Sequence, residues 1–195
     1  MTAHAFEHLF AAASRLVAAT PELREFVDWP AAAFSGKPGT PMPVAEIVAG
    51  YGPDHAGASA ELHRAVQAVS AYADWTQTYS EEEVGADFLS RYGYFELVGP
   101  TGHFRSDQIK AYIAYWGQGL AYDWHLHEAQ ELYYVISGSA LFQARGLAPT
   151  VLGPGQTREH LSNQPHAMTT TDSPVLTLVL WRGAGLQTLP RMEQT

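Results

Sequence analysis

Residues 123–138 read DWHLHEAQELYYVISG. His125 and His127 stand one residue apart, Glu131 follows four positions after His127, and Tyr133 lies two further on. Side chains of an extended segment alternate faces with a period of two, so these odd-numbered residues share a side if no net one-residue bulge intervenes. Two neutral imidazoles and a carboxylate converging on one point are donors that suit a divalent first-row metal. Without a metal, the same buried set needs pairing or shifted pKa values. Tyr133 adds a phenol whose reference pKa of about 10 falls beside a divalent cation, which makes it a candidate base. The plainer reading of each residue by itself is a surface histidine on a hairpin edge and a solvated glutamate.

Something must hold these groups in place. From about residue 94 the chain is a series of short runs rich in Val, Ile, Leu, Tyr and Phe: YFELVG, KAYIAYWG, ELYYVISG, ALFQARG and PVLTLVLWRG. Glycine or proline bounds most of them, which predicts a mainly β barrel or sandwich. ISGSALF predicts a hairpin turning at Ser137-Gly138-Ser139. Residues 1–93 read as helical. Phe6, Leu9, Phe10, Ala13, Leu16 and Val17 form one helix stripe, and Thr20-Pro21-Glu22 signals a restart. SGKPGTPMPVAEI reads as a loop. Leu62, Val66, Val69 and Ala73 form another stripe, and a short helix is expected over Val84 to Tyr92. No flexible linker divides the chain, so 1–93 and 94–195 are expected to form one unit, a helical segment packed on a barrel.

Composition narrows the partners. The formal net charge is −9 and the pI about 5.4, which argues against nucleic acid and anionic membrane surfaces. There are no cysteines, so thiolate metal sites and cysteine nucleophiles are excluded. The first twenty residues lack a basic n-region, no long apolar run exists, and a cytoplasmic location is expected.

The glycines around the polar set tip the reading toward a metal site. Gly119, five residues, His125, one residue, His127, three residues, Glu131, six residues, Gly138 resembles the first motif of the cupin superfamily at every position. The resemblance implies a double-stranded β-helix, or jelly-roll, barrel. The superfamily's second motif is matched in spacing by Gly155, Leu161, Asn163, His166 and Thr170. Leu161 replaces the usual proline, Asn163 the usual glycine and Thr170 the usual asparagine, while His166 keeps its place. His160 competes with it but falls six residues early, and is read as a support to the ligands or a surface residue. His4, His8, His55, His63 and His103 fit no ligand spacing.

WHLHEAQELYYVISG and SNQPHAMTTTDSPVLTLVLWRG together are similar to the cupin-type dimethylsulfoniopropionate (DMSP) lyases of marine bacteria, most closely the Q-type, over roughly residues 90–190. That resemblance implies cleavage of the zwitterion DMSP to acrylate and dimethyl sulfide. It implies His125, His127, Glu131 and His166 as ligands to one divalent transition metal (Zn, Fe, Mn, Co or Ni). It implies Tyr133 as the catalytic base, Tyr122 as a second active-site and substrate-contacting tyrosine, and Trp181 as a substrate-binding tryptophan. The sulfonium, a soft cation without donors, is expected against aromatic faces among Tyr94, Phe95, Phe104, Tyr112, Tyr115, Trp116, Tyr122, Trp124, Tyr133, Tyr134 and Trp181, most of which are packing residues; alternation puts Tyr134 in that packing set and makes Trp124 a weak candidate. Loss of the α-proton and departure of neutral dimethyl sulfide make this a β-elimination. Two other cupin functions compete: a dioxygenase using the same ligands with iron, and a regulatory protein that captures a small molecule. Tyr133 argues against the second, as do N-terminal helices with only Arg15, Arg24, Lys37 and Arg64 in residues 1–90. Cupins often pair through sheet edges, so a homodimer is compatible with the resemblance.

Overall fold

The computed structural model describes residues 2–53 and 55–193. The N-terminal part holds α1 (Thr2–Ala19), α2 (Pro21–Phe26), α3 (Pro43–Gly50) and α4 (Ala58–Val69), then a 3-10 turn at Ser70–Tyr72, and the short α5 (Glu81–Val84) and α6 (Ala86–Ser90). Eleven strands follow: β1 (Tyr92–Gly99), β2 (Phe104–Arg105), β3 (Lys110–Trp116), β4 (Ala121–Leu126), β5 (Gln130–Gly138), β6 (Ala140–Ala144), β7 (Thr150–Leu152), β8 (Thr157–His160), β9 (His166–Thr169), β10 (Val175–Arg182) and β11 (Arg191–Met192).

The helical stripes bury largely as their spacing predicts: Phe6, Leu9, Ala13, Leu16 and Val17 on α1, with Phe10 of the same stripe only half-buried, and Leu62, Val66 and Val69 on α4. Three local expectations need correction. SGKPGTPMPVAEI is a loop only as far as Met42; Pro43 takes the first position of α3, where its missing N–H costs nothing. The helix expected over Val84 to Tyr92 is two short helices broken at Gly85, whose φ is +82°, and a Ser80–Glu83 capping box starts the first. Ala73 lies beyond α4, after the 3-10 turn.

The strands form two sheets, β2-β1-β3-β10-β5-β8 and β11-β4-β9-β6-β7. The architecture is mainly β, the cupin barrel that the motif implied, with helices outside it. Both faces of the six-stranded sheet are covered, which explains its nearly continuous apolar strands. Leu132, Tyr134, Ile136, Leu176, Leu178 and Leu180 face the helices and share one core with α1 and α4. Tyr133, Val135, Val179 and Trp181 belong to the second core, with Tyr122, Phe142 and Met168 of the five-stranded sheet. Each of the Leu, Ile, Val, Phe and Met side chains among them contributes about 1.5–3 kcal/mol by leaving water. Polar contacts pin α4 to β5: Ser59 Oγ lies 2.6 Å from the Tyr134 hydroxyl, and His63 Nδ1 lies 2.5 Å from Ser137 Oγ. Arg182 donates to the Phe26 carbonyl at 2.8 Å, tying β10 to the end of α2.

The expected hairpin at Ser137–Ser139 is absent. β5 belongs to the six-stranded sheet and β6 to the other, so this turn crosses between sheets. Gly138 takes φ +74° there, and a Cβ would stand 1.8 Å from the Pro174 carbonyl oxygen. The segment 125–133 crosses too. β4 ends at Leu126, the chain bends through residues 127–129, and β5 begins in the opposite sheet. The polar groups therefore converge from two walls of the barrel rather than along one strand.

Candidate metal centre and pocket

His125 lies on β4 and pairs in register with His166 on β9. Glu131 on β5 is flanked in register by Trp181 on β10 and by His160 on β8. His127 sits on the bend between β4 and β5. All six side chains are buried. His127, Glu131 and His166 bring one ligand atom each to within 4.8 Å of one another. Oε2 of Glu131 lies 3.4 Å from His127 Nε2 and 3.1 Å from His166 Nε2.

Each imidazole has its proton placed. His127 Nδ1 donates to the Ala129 carbonyl at 2.9 Å, His166 Nδ1 to Gln164 at 2.8 Å and His125 Nδ1 to Asp123 at 2.8 Å. The neutral rings therefore keep a lone pair on Nε2. The Nε2 atoms of His127 and His166 are buried without a hydrogen-bond partner. Two imidazole lone pairs thus face a carboxylate oxygen in a dry site, an arrangement that a cation among them stabilises. Donor separations of about 3.0–3.5 Å are those that metal bonds near ~2.1 Å produce at tetrahedral or octahedral angles. The residues fit a divalent metal.

The electrostatics of the protein groups agree. Burial alone would raise the Glu131 pKa, but His127 and the three imidazole contacts hold it well below the ordinary carboxylate value. Burial alone would lower the His127 pKa, but Glu131 outweighs it and keeps it raised. His125 is pushed well down, first by burial and then by His166.

His125 stands just outside the three-residue group. Its ring stacks on Tyr122 at 4.0 Å and meets the His166 ring edge-on at 4.1 Å. The Asp123 carbonyl and the Tyr122 ring together fix its orientation.

Beside the donors opens a pocket of about 420 Å³, counted with its mouth, with Glu131 and Tyr133 on its wall. Its lining is aromatic: Tyr92, Tyr94, Tyr112, Trp116, Tyr122 and Trp181. No protein hydrogen bond reaches the Tyr133 hydroxyl among the described residues. The Tyr122 hydroxyl lies 3.0 Å from that of Tyr79. Burial, then the Glu131 charge, pushes the Tyr133 pKa well above 10; burial, then Tyr92, does the same for Tyr122. Neither phenol ionises near neutral pH through protein groups alone.

The comparisons with known proteins agree with this geometry. The family model for dimethylsulfoniopropionate lyase matches residues 30–177. The chain is 39% identical over 188 residues to the DMSP lyase DddQ of Ruegeria pomeroyi, covering 95% of this chain and 92% of that protein. The chain belongs to the dimethylsulfoniopropionate lyase family. Among solved structures, a chain from the work on the DMSP lyases RdDddP and RnDddQII superposes with a TM-score of 0.96 at 45% identity, over 100% of both chains. R. pomeroyi DddQ superposes with a TM-score of 0.88 at 38% identity, over 96% of this chain and 95% of that one.

In this DMSP lyase family member the departures from the second cupin motif have local reasons. Asn163 adopts φ +57°, the left-handed conformation that asparagine tolerates best after glycine, and its N–H donates to the His127 carbonyl at 2.8 Å. Thr170 Oγ1 accepts from the Leu120 N–H at 2.8 Å and donates to the Gly117 carbonyl at 2.6 Å. Its hydroxyl thereby closes the loop that leads into β4. Leu161 is exposed.

Sequence reasoning missed or undervalued several neighbours. His160 is 1% exposed, so its reading as a surface residue is set aside, and its Nδ1 donates to Glu131 Oε2 at 3.0 Å. Burial lowers its pKa to about 4, so the ring is neutral. Tyr79, Thr78, Leu189 and Pro190 also reach the site or its pocket, from segments outside the motifs. The pairing of strands brings them there, and no local signal marks them. Tyr134 faces the helices as strand alternation requires, whereas Trp124 points outward, with the Arg145 guanidinium 4.3 Å over its ring, although Tyr122 two residues before it faces inward, because the register of β4 shifts between Tyr122 and His125.

Proposed function

We propose that the protein cleaves DMSP to acrylate and dimethyl sulfide by a metal-dependent β-elimination, with Tyr133 as the base. The observation that carries this reading is the buried His127–Glu131–His166 group beside an aromatic pocket that Tyr133 lines, in a chain of the DMSP lyase family. His125, the fourth donor implied by the first motif, stands one ring away.

When bound, a divalent cation supplies positive charge for the substrate carboxylate and favours the phenolate of a nearby tyrosine. The aromatic walls take the dimethylsulfonium, each face contributing about 0.5–2 kcal/mol, and exclude water from the reacting end. The Tyr133 oxygen takes the proton on the carbon next to the carboxylate. The electron pair left behind forms the C=C bond as the Cβ–S bond breaks, and sulfur leaves with its bonding pair as neutral dimethyl sulfide. That leaving group needs no acid. Tyr133 is favoured over Tyr122 because no hydrogen bond among the described residues reaches its hydroxyl, whereas that of Tyr122 is engaged with Tyr79.

The test is direct. Purified protein is loaded in turn with Zn²⁺, Fe²⁺, Mn²⁺, Co²⁺ or Ni²⁺ and given DMSP without oxygen, and headspace dimethyl sulfide and dissolved acrylate are measured. Equimolar products are expected. Inactivity with every metal rejects the lyase reading, and activity only with oxygen points to a dioxygenase.

A further inference from the structure

Glu131 is gripped from both sides. Trp181, Glu131 and His160 are direct partners across β10, β5 and β8, so their side chains share the inner face of the sheet. The Trp181 indole N–H donates to Oε1 at 2.8 Å, and His160 Nδ1 donates to Oε2 at 3.0 Å. Each flanking residue also stacks on one of the two histidines. The Trp181 ring lies 4.2 Å from the His127 ring at 30°, and the His160 ring lies 4.0 Å from the His166 ring at 25°. Two residues thus touch all three grouped donors, each by one hydrogen bond and one stacked ring.

We propose that His160 and Trp181 are positioning residues that lock Glu131 as a one-oxygen ligand, offering Oε2 to the metal while Oε1 stays bound to the indole. This rests on the metal centre proposed above.

A carboxylate has about four lone-pair sites. The indole occupies one on Oε1 and the imidazole one on Oε2, so the remaining Oε2 pair is the one that faces His127 and His166. Rotating Glu131 to offer both oxygens would strand the indole N–H in a dry site, which is unfavourable for a buried donor. Ligation through one oxygen leaves more of the coordination sphere for the substrate carboxylate. His160 turns its Nδ1 proton, not a lone pair, toward Glu131, its Nε2 is buried without a hydrogen-bond partner, and it lies outside the group of three donors.

The test uses Co²⁺ as a spectroscopic probe on the full chain after chelator treatment. Affinity is measured by competition with a chromophoric chelator, coordination by the visible d–d absorption, and folding of the metal-free protein by thermal unfolding. His160→Ala is expected to weaken Co²⁺ binding by about 10–100-fold, the usual effect of losing an outer partner of a ligand, and to change the spectrum. His160→Asn places an amide N–H near the position of Nδ1 and should restore most of the affinity and the wild-type spectrum. Trp181→Phe keeps the ring over His127 but removes the donor, and should shift the spectrum as Glu131 gains freedom. Should His160→Ala not fold, the other two variants still decide the matter. Wild-type affinity and spectra in His160→Ala and Trp181→Phe overturn the proposal, as does a His160→Asn variant no better than alanine. A wild type that takes up no Co²⁺ removes the metal reading, and this inference with it.

Discussion

Replacing Tyr133 with Phe removes one oxygen and little else. The ring packs against Phe142 at 5.3 Å, His160 at 5.6 Å and Trp116 at 6.2 Å, and all three contacts survive the change. No hydrogen bond among the described residues is broken, so unfolding free energy should change by less than about 1 kcal/mol. Activity should respond quite differently. A positioned base contributes about 10²–10⁴-fold, equivalent to about 2.7–5.4 kcal/mol of barrier at ~1.36 kcal/mol per decade. Because the oxygen is needed in the chemical step, the loss should fall on kcat, with Co²⁺ affinity unchanged. The assay is anaerobic release of dimethyl sulfide and acrylate by matched, metal-loaded wild type and variant, alongside thermal unfolding of each. A variant retaining more than about a tenth of wild-type kcat would remove Tyr133 from the role of base. A loss accompanied by a large drop in thermal stability would show that the hydroxyl is structural, contrary to the geometry.

Three further outcomes are expected. Treatment with a strong chelator should abolish product release. Restoring a divalent metal at about 100 times its Kd should recover activity and stabilise the fold by about 2.7 kcal/mol, read as a rise in Tm. His103, stacked on Phe6 at 4.1 Å, accepts the Asp74 N–H on Nε2 at 3.2 Å, and burial, reinforced by Lys37, lowers its pKa from 6.5 to about 4. Its folded pKa lies below its unfolded one, so its contribution is full above pH 6.5 and is lost as pH falls toward 4. Because His160 and His125 also have lowered pKa values, the readout is the difference between proteins: in denaturant unfolding, wild type should lose roughly 3 kcal/mol more than His103→Asn over that window. Gly138→Ala places a methyl carbon 1.8 Å from the Pro174 oxygen at a positive φ. It should cost at least about 3 kcal/mol, so wild-type Tm in that variant would contradict the described turn.

Much of this protein can be read along its chain. The period of two places Glu131 and Tyr133 on one side of β5 and Tyr134 on the other, because strand geometry fixes alternation wherever the strand is paired. The helix stripes of α1 and α4 bury as expected because 3.6-residue periodicity is equally local. The proline-rich loop shows the limit of local signals: Pro43 both breaks what precedes it and begins α3, and composition does not distinguish the two roles.

By itself the sequence determined which donors exist, their spacing and the family to which they belong. Tertiary structure decided which of them meet. His160 lies 29 residues from Glu131, and Trp181 lies 50. They flank the carboxylate because β8 and β10 pair with β5 in one particular register. His125, only two residues from His127, is set apart because its ring is held by the Asp123 carbonyl and by the stacked ring of Tyr122. Spacing within a strand follows from bond geometry, whereas neighbours across strands depend on how remote segments fold and pack, and two residues' separation along the chain says nothing of that.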